Sequence, residues 1–299
     1  MALSAPVRGA LWMCGAATAF ALMINLVRHL TASFDPLEVV FFRNLFGLVA
    51  MLPWLTRHGV GVLRTQRIGL HVLRAALGML AMFLWFTTLS LMPLAEATAL
   101  SFTAPMFTSI LAVLILGEVM RMRRWAATAI GFAGAVVILR PGTGTLDPAA
   151  FLALASAAVW ASANVLVKVM SRTESAGAVV TYLTLFLTPF SLIPALFVWQ
   201  TPTIEQLGWF ALLGVAGSAG HFCLIRSLAA ADATVVVPFD YLRLPIVALI
   251  AYVAFGQVPD VWIWLGGGLI AASGIYIAHR EAQLRQKAAP VQARPAPQV

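Results

Sequence analysis

Charged residues are scarce in this chain. Of its 299 residues only 10% are Asp, Glu, Lys or Arg, whereas 61% are hydrophobic and the mean hydropathy is +0.92. A soluble domain of this size could not bury so much apolar surface, so the composition excludes that class of protein. The sequence therefore predicts a membrane protein with several spanning helices.

Cysteine is nearly absent as well. Cys14 and Cys223 both lie inside apolar segments, which indicates no disulfide framework. No second histidine stands at metal-ligand spacing from His221, and we expect neither a metal site nor a cofactor. An enzyme is not expected, because no nucleophile–base set is apparent beyond the isolated Asp240 and His221. A membrane enzyme or a channel remains a more distant alternative.

Long apolar runs fill most of the chain. Since a membrane helix needs about 20 apolar residues, we predict ten spanning helices. They cover approximately residues 9–30, 37–56, 69–92, 95–117, 123–140, 148–170, 177–199, 206–229, 232–256 and 260–279. The tail 281–299 is polar and rich in Ala, Gln and Pro, and it is predicted to be disordered.

The basic residues are distributed unevenly between the predicted loops. If the N-terminus is cytoplasmic, 15 of the 19 lysines and arginines lie on or near the cytoplasmic side. These are Arg8, Arg57, Arg64, Arg67, Arg74, Arg121, Arg123, Arg124, Lys168, Arg172, Arg226, Arg280, Arg285, Lys287 and Arg294. Only Arg28 and Arg140 lie near the other side, while Arg43 and Arg243 lie within helices. This asymmetry predicts two cytoplasmic termini, and the net charge of +8 indicates loops that face anionic lipid rather than nucleic acid.

The two halves of the chain are similar to each other. Three segments of the first half match segments about 140 residues later, in the same order: 20–28 with 160–168, 93–100 with 229–236, and 116–125 with 255–264. Five helices per half is an odd number, so the second half must enter the membrane from the opposite side. We predict an inverted repeat with halves 1–141 and 142–280.

The fourth predicted helix carries a proline and ends in "LGE", at Pro105, Gly117 and Glu118. With ten helices and a five-plus-five repeat, the chain resembles the EamA-type drug/metabolite transporter superfamily, and within it the bacterial aromatic amino acid exporters. The resemblance implies an all-α bundle with alternating access, in which helices 3, 4, 8 and 9 wall a central cavity. Gln257 departs from the family pattern, because the second half usually repeats the glutamate of "GE".

Two full charges interrupt the ninth predicted helix. Asp240 and Arg243 are three residues apart and share a helix face, where an unpaired charge in the membrane costs several kcal/mol. They form either a structural clamp or part of a substrate site in a water-filled cavity. Pro238 and Pro245 flank them and Pro105 lies in the corresponding fourth helix, and paired interruptions of this kind mark transporter binding sites.

Further polar candidates lie at helical spacing on other predicted helices. His221 follows the small residues Gly214 and Gly217 in the eighth helix and is either packed or cavity-lining. Asn25 in the first helix and Trp160 and Asn164 in the sixth belong to polar stripes that either bond between helices or line the cavity.

Aromatic residues complete the predicted site. Trp85, Phe102, Tyr182, Phe239 and Tyr241 lie on helices assigned to the cavity or next to it, and each has a packing alternative.

Three remaining ionisable residues have simpler explanations. Glu96 and Asp232 open the fourth and ninth helices, where the helix dipole favours a carboxylate and where ion coupling is the minority alternative. Arg43 is expected to snorkel outward or to pair with Glu38 or Asp35.

The sequence therefore predicts a secondary transporter in a bacterial cytoplasmic (inner) membrane. One charge of each sign in an aromatic setting favours a zwitterion, and we expect export of aromatic or large apolar amino acids. Another solute, such as a purine, a sugar phosphate or a cationic drug, is the nearest alternative. The expected partners are a small-molecule substrate and the lipid bilayer, without nucleic acid.

Overall fold

The computed structural model describes residues 5–58, 65, 67–117, 119–120, 122–140, 147–170, 173–174, 176–231 and 233–288. All regular structure in these residues is α-helical. The helices are α1 (Ala5–Leu30), α2 (Pro36–His58), α3 (Ile68–Leu91), α4 (Leu94–Ser101), α5 (Ala104–Leu116), α6 (Met122–Leu139), α7 (Pro148–Met170), α8 (Ala176–Ala195), α9 (Ile204–Ala230), α10 (Ala233–Asp240), α11 (Arg243–Phe255) and α12 (Val261–Ala288).

These helices form ten segments, because α4 with α5 and α10 with α11 each make one interrupted segment. Six segments of the described chain are long and apolar enough to span a membrane by themselves: Ala5–Leu30, Ile68–Leu91, Leu94–Leu116, Pro148–Met170, Ile204–Ala230 and Pro238–Phe255. Three shorter apolar helices join them, at Trp125–Leu139, Thr181–Ala195 and Val261–Ile277. The prediction of an all-α protein with several spanning helices is confirmed.

The interruptions predicted from Pro105 and Pro245 are present, whereas the same prediction for Pro238 is wrong, because Pro238 lies inside α10 and does not end it. Pro105 lies in the first turn of α5, and Pro245 is the third residue of α11. Neither proline has an amide hydrogen to donate to the turn before it, so the continuous hydrogen-bond ladder stops. At each break the backbone forms a hydrogen bond over three residues, as in a 3₁₀-helix. These bonds run from Thr103 N to Leu100 O at 3.0 Å and from Leu242 N to Phe239 O at 3.2 Å.

Small residues allow the helices to approach closely. At the contact of α6 with α12, a Cβ atom on Gly134 would lie 2.6 Å from the backbone oxygen of Gly266. At the contact of α1 with α9, a Cβ atom on Gly220 would lie 2.7 Å from the ring of Phe20. Without a hydrophobic force between helices in lipid, such close packing is what holds them together.

The contacts between the two halves occur in matching pairs. α1 packs against α9 as α7 packs against α3, and α11 packs against α1 as α5 packs against α7. α5 and α11 both end at a left-handed glycine, Gly117 with φ 67° and Gly256 with φ 66°. Each of these pairs is related by an exchange of the two halves.

One prediction about the chain end is corrected. α12 continues to Ala288, so 281–288 is helical rather than part of a disordered tail, whereas 289–299 lie outside the described residues. Near the end of α1, Arg28 donates to the backbone oxygens of Leu89 at 3.1 Å and Ser90 at 2.6 Å. It thereby satisfies carbonyls at the end of α3 that have no partner within the helix. Glu118 and Asp232 also lie outside the described residues.

Gln257 stands where the family pattern has glutamate, and its side chain bonds to the start of another helix. Its side-chain oxygen accepts a hydrogen bond of 3.0 Å from the backbone N–H of Leu94, the first residue of α4. The start of α4 is thereby held by the second half of the chain.

We expect Gln257→Ala to lower the free energy of unfolding by about 1 kcal/mol, because one amide at a helix start loses its acceptor. The midpoint of thermal unfolding in detergent measures this loss. Gln257→Glu keeps an acceptor oxygen and should retain the wild-type midpoint. Equal midpoints for the alanine variant and the wild type would contradict this role.

Candidate functional site

The helix break in the second half holds an ion pair. Asp240 is the last residue of α10 and Arg243 is the first of α11, and Arg243 Nη2 donates to Asp240 Oδ2 at 3.1 Å across the break. The side chains stay 28% and 20% exposed, respectively. The pair therefore exists, as the clamp hypothesis requires, yet both groups can still contact a solute. The Nε of Arg243 has no hydrogen-bond partner among the described residues.

Aromatic rings surround this arginine. The guanidinium lies 4.8 Å from the ring centre of Phe102 and 5.8 Å from that of Phe20. Phe102 follows the last residue of α4, at the break of the first half, and its ring meets that of Tyr241 edge to face at 4.7 Å. The two breaks thus contribute one ring each to a single cluster, and the guanidinium of Arg243 lies over the face of Phe102.

His221 joins the cluster from α9. Its ring meets Phe20 edge to face at 5.1 Å, so Phe20 lies between His221 and Arg243. His221 is nevertheless exposed, although it follows Gly217 by one helical turn on the face that packs against α1 and α2.

Arg43 of α2 packs against α9, contrary to the prediction that it snorkels outward or pairs with Glu38 or Asp35. Its Nη1 donates to Asn44 Oδ1 at 3.1 Å, and its Nε is buried without a partner in the described part of the chain. A Cβ atom on Gly217 would lie 3.0 Å from its Nη2, so the guanidinium lies against the backbone of α9. Glu38 instead accepts from the backbone N–H of Gln200 at 3.3 Å.

Arg74 of α3 is a second residue that sequence reasoning assigned only to the basic cytoplasmic side. It is 8% exposed, and both Nε and Nη1 lack a partner among the residues that the structure describes. A full charge more than a turn inside an apolar helix was the signal that could have identified both arginines, and Phe20 had no such signal.

Tyr182 lies near Arg74 rather than at the helix breaks. Its ring meets that of His71, one turn before Arg74, at 4.5 Å. His71 Nε2 lies 3.4 Å from Glu174 Oε2, and both side chains are almost fully buried. Tyr182 therefore belongs to the contact of α3 with α8.

The other predicted site residues are not joined to the cluster by hydrogen bonds or ring contacts in the described part of the chain. Asn25 is buried and donates to Ala21 O at 2.9 Å in its own helix. Trp160 and Phe239 are each 37% exposed. Trp85 packs against the main hydrophobic core, and Asn164 is half-buried on α7. Packing or lipid exposure accounts for these positions as well as a cavity does.

Taken together, the spanning helices, the paired breaks and the charged aromatic cluster define a membrane transporter for a small solute. Aromatic faces can hold a flat ring, while guanidinium groups and the Asp240 carboxylate can orient polar groups. Interrupted helices supply backbone groups for the same purpose.

The chain belongs to the EamA-like transporter family, whose model matches residues 7–140 and again residues 147–278. The family resemblance inferred from the sequence is thereby confirmed. Membership in a family of transporters also points away from an enzyme.

Relatives of this family carry different solutes. A riboflavin transporter of Vibrio cholerae is 36% identical over 282 residues, which cover 92% of this chain and 94% of the relative. An S-adenosylmethionine uptake transporter of Rickettsia prowazekii is 32% identical over 94% of this chain and 95% of its own length. One solved crystal structure matches 93% of this chain and 98% of its own with a TM-score of 0.60 and 20% identity, which shows the fold alone.

Proposed function

We propose that this protein carries a flavin-type solute, riboflavin or a close derivative, across the bacterial cytoplasmic membrane. The observation that carries the proposal is the cluster at the helix breaks, where Arg243 lies over Phe102 and close to Phe20 and Tyr241. Phe20 and Phe102 are buried, whereas Tyr241 is half-buried and the Arg243 side chain is 20% exposed. Tyr241 and Arg243 are therefore the members of the cluster that a flat tricyclic ring can reach, and guanidinium N–H groups can donate to its carbonyl oxygens. The riboflavin transporter of Vibrio cholerae, at 36% identity, supports the same substrate class.

The charges of the cluster discriminate between the two solutes of the relatives. Arg243 lies beside Asp240, and Arg43 lies against the backbone of α9 at Gly217 with no carboxylate partner among the described residues. S-adenosylmethionine carries a net positive charge at neutral pH, and like charges at close range in a low dielectric repel strongly. A neutral or anionic ring system is favoured instead.

Export of an aromatic amino acid is the second candidate. The Asp240–Arg243 pair, at 3.1 Å, offers one charge of each sign next to aromatic rings, as a zwitterion requires. The two candidates differ in which solute competes for transport.

Counterflow in proteoliposomes separates them, because riboflavin is fluorescent and its uptake can be followed directly. We expect saturable riboflavin counterflow that excess tryptophan or S-adenosylmethionine does not reduce. Tryptophan counterflow that riboflavin does not reduce would establish the second candidate instead. Loading flavin inside or outside the vesicles, under a pH gradient or without one, reads the direction and the coupling of transport.

The proposal includes alternating access between two inverted halves, 1–141 and 142–280. Its support is the recurring packing, in which α1 with α9 corresponds to α7 with α3, together with the paired helix breaks. Two halves that enter the membrane from opposite sides can rock about a site at their interface, which is where Phe102 and Arg243 lie.

The orientation of the halves makes a prediction of its own. In a protein without native cysteines, we expect a membrane-impermeant thiol reagent to label a cysteine placed in 140–148 from outside the cell. A cysteine placed in 57–68 should be labelled only after the membrane is opened, because the basic loops remain inside. The reverse pattern would refute both the cytoplasmic termini and the inverted repeat.

A further inference from the structure

An open groove of about 480 Å³ lies between α6 and α12 and shares no residue with the aromatic cluster at the helix breaks. α6 contributes Arg123, Ala126 and Ile130 to its walls, and α12 contributes Ala272 and Tyr276. On each helix these residues are three or four positions apart. The groove therefore follows one face of each helix.

The floor of the groove is the contact between the two helices. Ser273 is buried and donates to the backbone oxygen of Ala127. Seven residues away on each helix, Gly134 approaches the backbone of Gly266. The first number of each pair falls as the second rises, so α6 and α12 run antiparallel. Arg123, near the start of α6, is thus on a level with Tyr276.

The walls of the groove face the outside of the helix bundle. Ile130 is 49% exposed and Tyr276 is 42% exposed, and Ala126 and Ala272 are exposed as well. Most of the groove lies along the apolar stretches Trp125–Leu139 and Val261–Ile277. In a membrane, an exposed apolar groove of this kind faces the acyl chains of the lipid.

One end of the groove is polar. Arg123 lies in the first turn of α6, and Tyr276 is the next-to-last residue of its apolar stretch. No hydrogen bond or ion pair joins either side chain to another residue in the described part of the chain. The exposed ring of Trp125 lies two residues after Arg123, and tryptophan and tyrosine rings are typical of the membrane–water interface.

The sequence around this end is strongly basic. Residues 121–124 and 279–287 contain six lysines and arginines and one acidic residue, Glu281. In the proposed orientation this end faces the cytoplasm, where the lipid surface is anionic. Charge and position therefore favour an anionic lipid over a second protein as the occupant of the groove.

We propose that the groove between α6 and α12 is a binding site for an anionic phospholipid. The head-group phosphate lies on the guanidinium of Arg123 and the hydroxyl of Tyr276, and one acyl chain lies along Ala126, Ile130 and Ala272. A guanidinium binds a phosphate through paired, charge-assisted hydrogen bonds, and a tyrosine hydroxyl can add another donor. Since α6 belongs to the first half of the chain and α12 to the second, the lipid bridges the two halves. The inference holds for any transported solute.

The test measures binding of single lipids to the purified protein in detergent by native mass spectrometry. The probes are phosphatidylglycerol, which is anionic, and phosphatidylcholine with the same acyl chains, which is zwitterionic. We expect the wild type to bind phosphatidylglycerol about tenfold more tightly, which corresponds to one charge-assisted contact. Arg123→Gln should reduce this preference to less than about threefold.

Arg226→Gln is the control for the charge. Arg226 is an exposed arginine near the end of α9, on the same proposed side of the membrane, and its guanidinium lies 5.3 Å from the ring centre of Phe222. We expect this variant to keep the preference of the wild type. Equal losses in Arg123→Gln and Arg226→Gln would indicate a general attraction to the basic surface and would overturn the site.

Two exposed alanines of α6 test the groove itself. Ala126 lines the groove, whereas Ala129 does not. Ala126→Phe fills the space for the acyl chain and should weaken binding of phosphatidylglycerol at least about fivefold, while Ala129→Phe should stay within about twofold of the wild type. If Arg123→Gln does not fold, these two variants decide, and equal affinities in them would refute the groove as the site.

The same spectra distinguish a lipid from a second copy of the chain. Equal affinity of the wild type for the two lipids would overturn the proposal. So would a dimer that Ala126→Phe dissociates while the preference for phosphatidylglycerol is unchanged, because that result would assign the groove to a partner subunit. A preference that Arg123→Gln and Ala126→Phe both lower, and that Arg226→Gln and Ala129→Phe both keep, would establish the lipid site.

Discussion

Arg243→Ala is expected to lower transport by about 10- to 100-fold while the protein remains folded and inserted. Arg243 lies over Phe102 at 4.8 Å and has an Nε without a protein partner, so it is placed to donate to a solute. Loss of one charge-assisted hydrogen bond to the solute corresponds to about 1.5–3 kcal/mol. Initial rates in proteoliposomes, normalised to inserted protein, measure the effect.

A double variant distinguishes substrate contact from a structural clamp. The single substitution also strands Asp240, which lies 3.1 Å from Arg243. Asp240→Asn combined with Arg243→Gln removes both charges and keeps hydrogen-bonding groups of similar size. If the pair is only a clamp, the double variant regains transport; if Arg243 binds the solute, transport stays low. Arg226→Ala, on the exposed surface, should transport normally.

The second large effect is expected at the contact of α6 with α12. Gly134→Ala should lower the free energy of unfolding by about 1–3 kcal/mol, the usual cost of overpacking. The added Cβ would lie 2.6 Å from the backbone oxygen of Gly266 and 2.9 Å from the side chain of Ile270. Since two backbones meet there, neither helix can yield by a side-chain rotation alone. The thermal midpoint of the purified protein measures the loss.

Gly268 of α12, in the same pair of helices but on an exposed face, provides the control. A Cβ atom on Gly268 would meet nothing within 4 Å. Gly268→Ala should therefore keep or raise the thermal midpoint, because alanine has the higher helix propensity. Equal losses in the two variants would mean that the cost arises from the helix itself and not from the α6–α12 contact.

The membrane class and the interrupted helices were predictable because they follow from local physics. An apolar run of about 20 residues has few alternatives to a spanning helix, whatever surrounds it. Pro105 and Pro245 lack an amide hydrogen in any environment, so the breaks in α4–α5 and α10–α11 could be predicted, although Pro189, Pro194 and Pro238 lie inside helices. Asp240 and Arg243 were recognisable as a pair for the same reason, because they are separated by three residues.

The site was only partly predictable, because contacts between helices do not follow from spacing along one helix. Five of the predicted residues come together in one cluster: Asp240, Arg243, His221, Phe102 and Tyr241. Trp160 and Asn164 lie on one face of α7, as predicted, but do not join this cluster. Phe20 resembles any apolar residue until α1 packs against α9 and brings its ring between His221 and Arg243.

The sequence by itself determined a polytopic all-α membrane protein, its family and the two helix breaks, since hydropathy and missing amide hydrogens act within single segments. Only the tertiary structure decided what Arg43 and Arg74 face. Both carry a charge that could snorkel to the membrane surface, and sequence reasoning placed them there. The glycine backbone of α9 at Gly217 and the packing of α3 against α8 direct them inward instead, because a small residue on a neighbouring helix leaves room for a guanidinium.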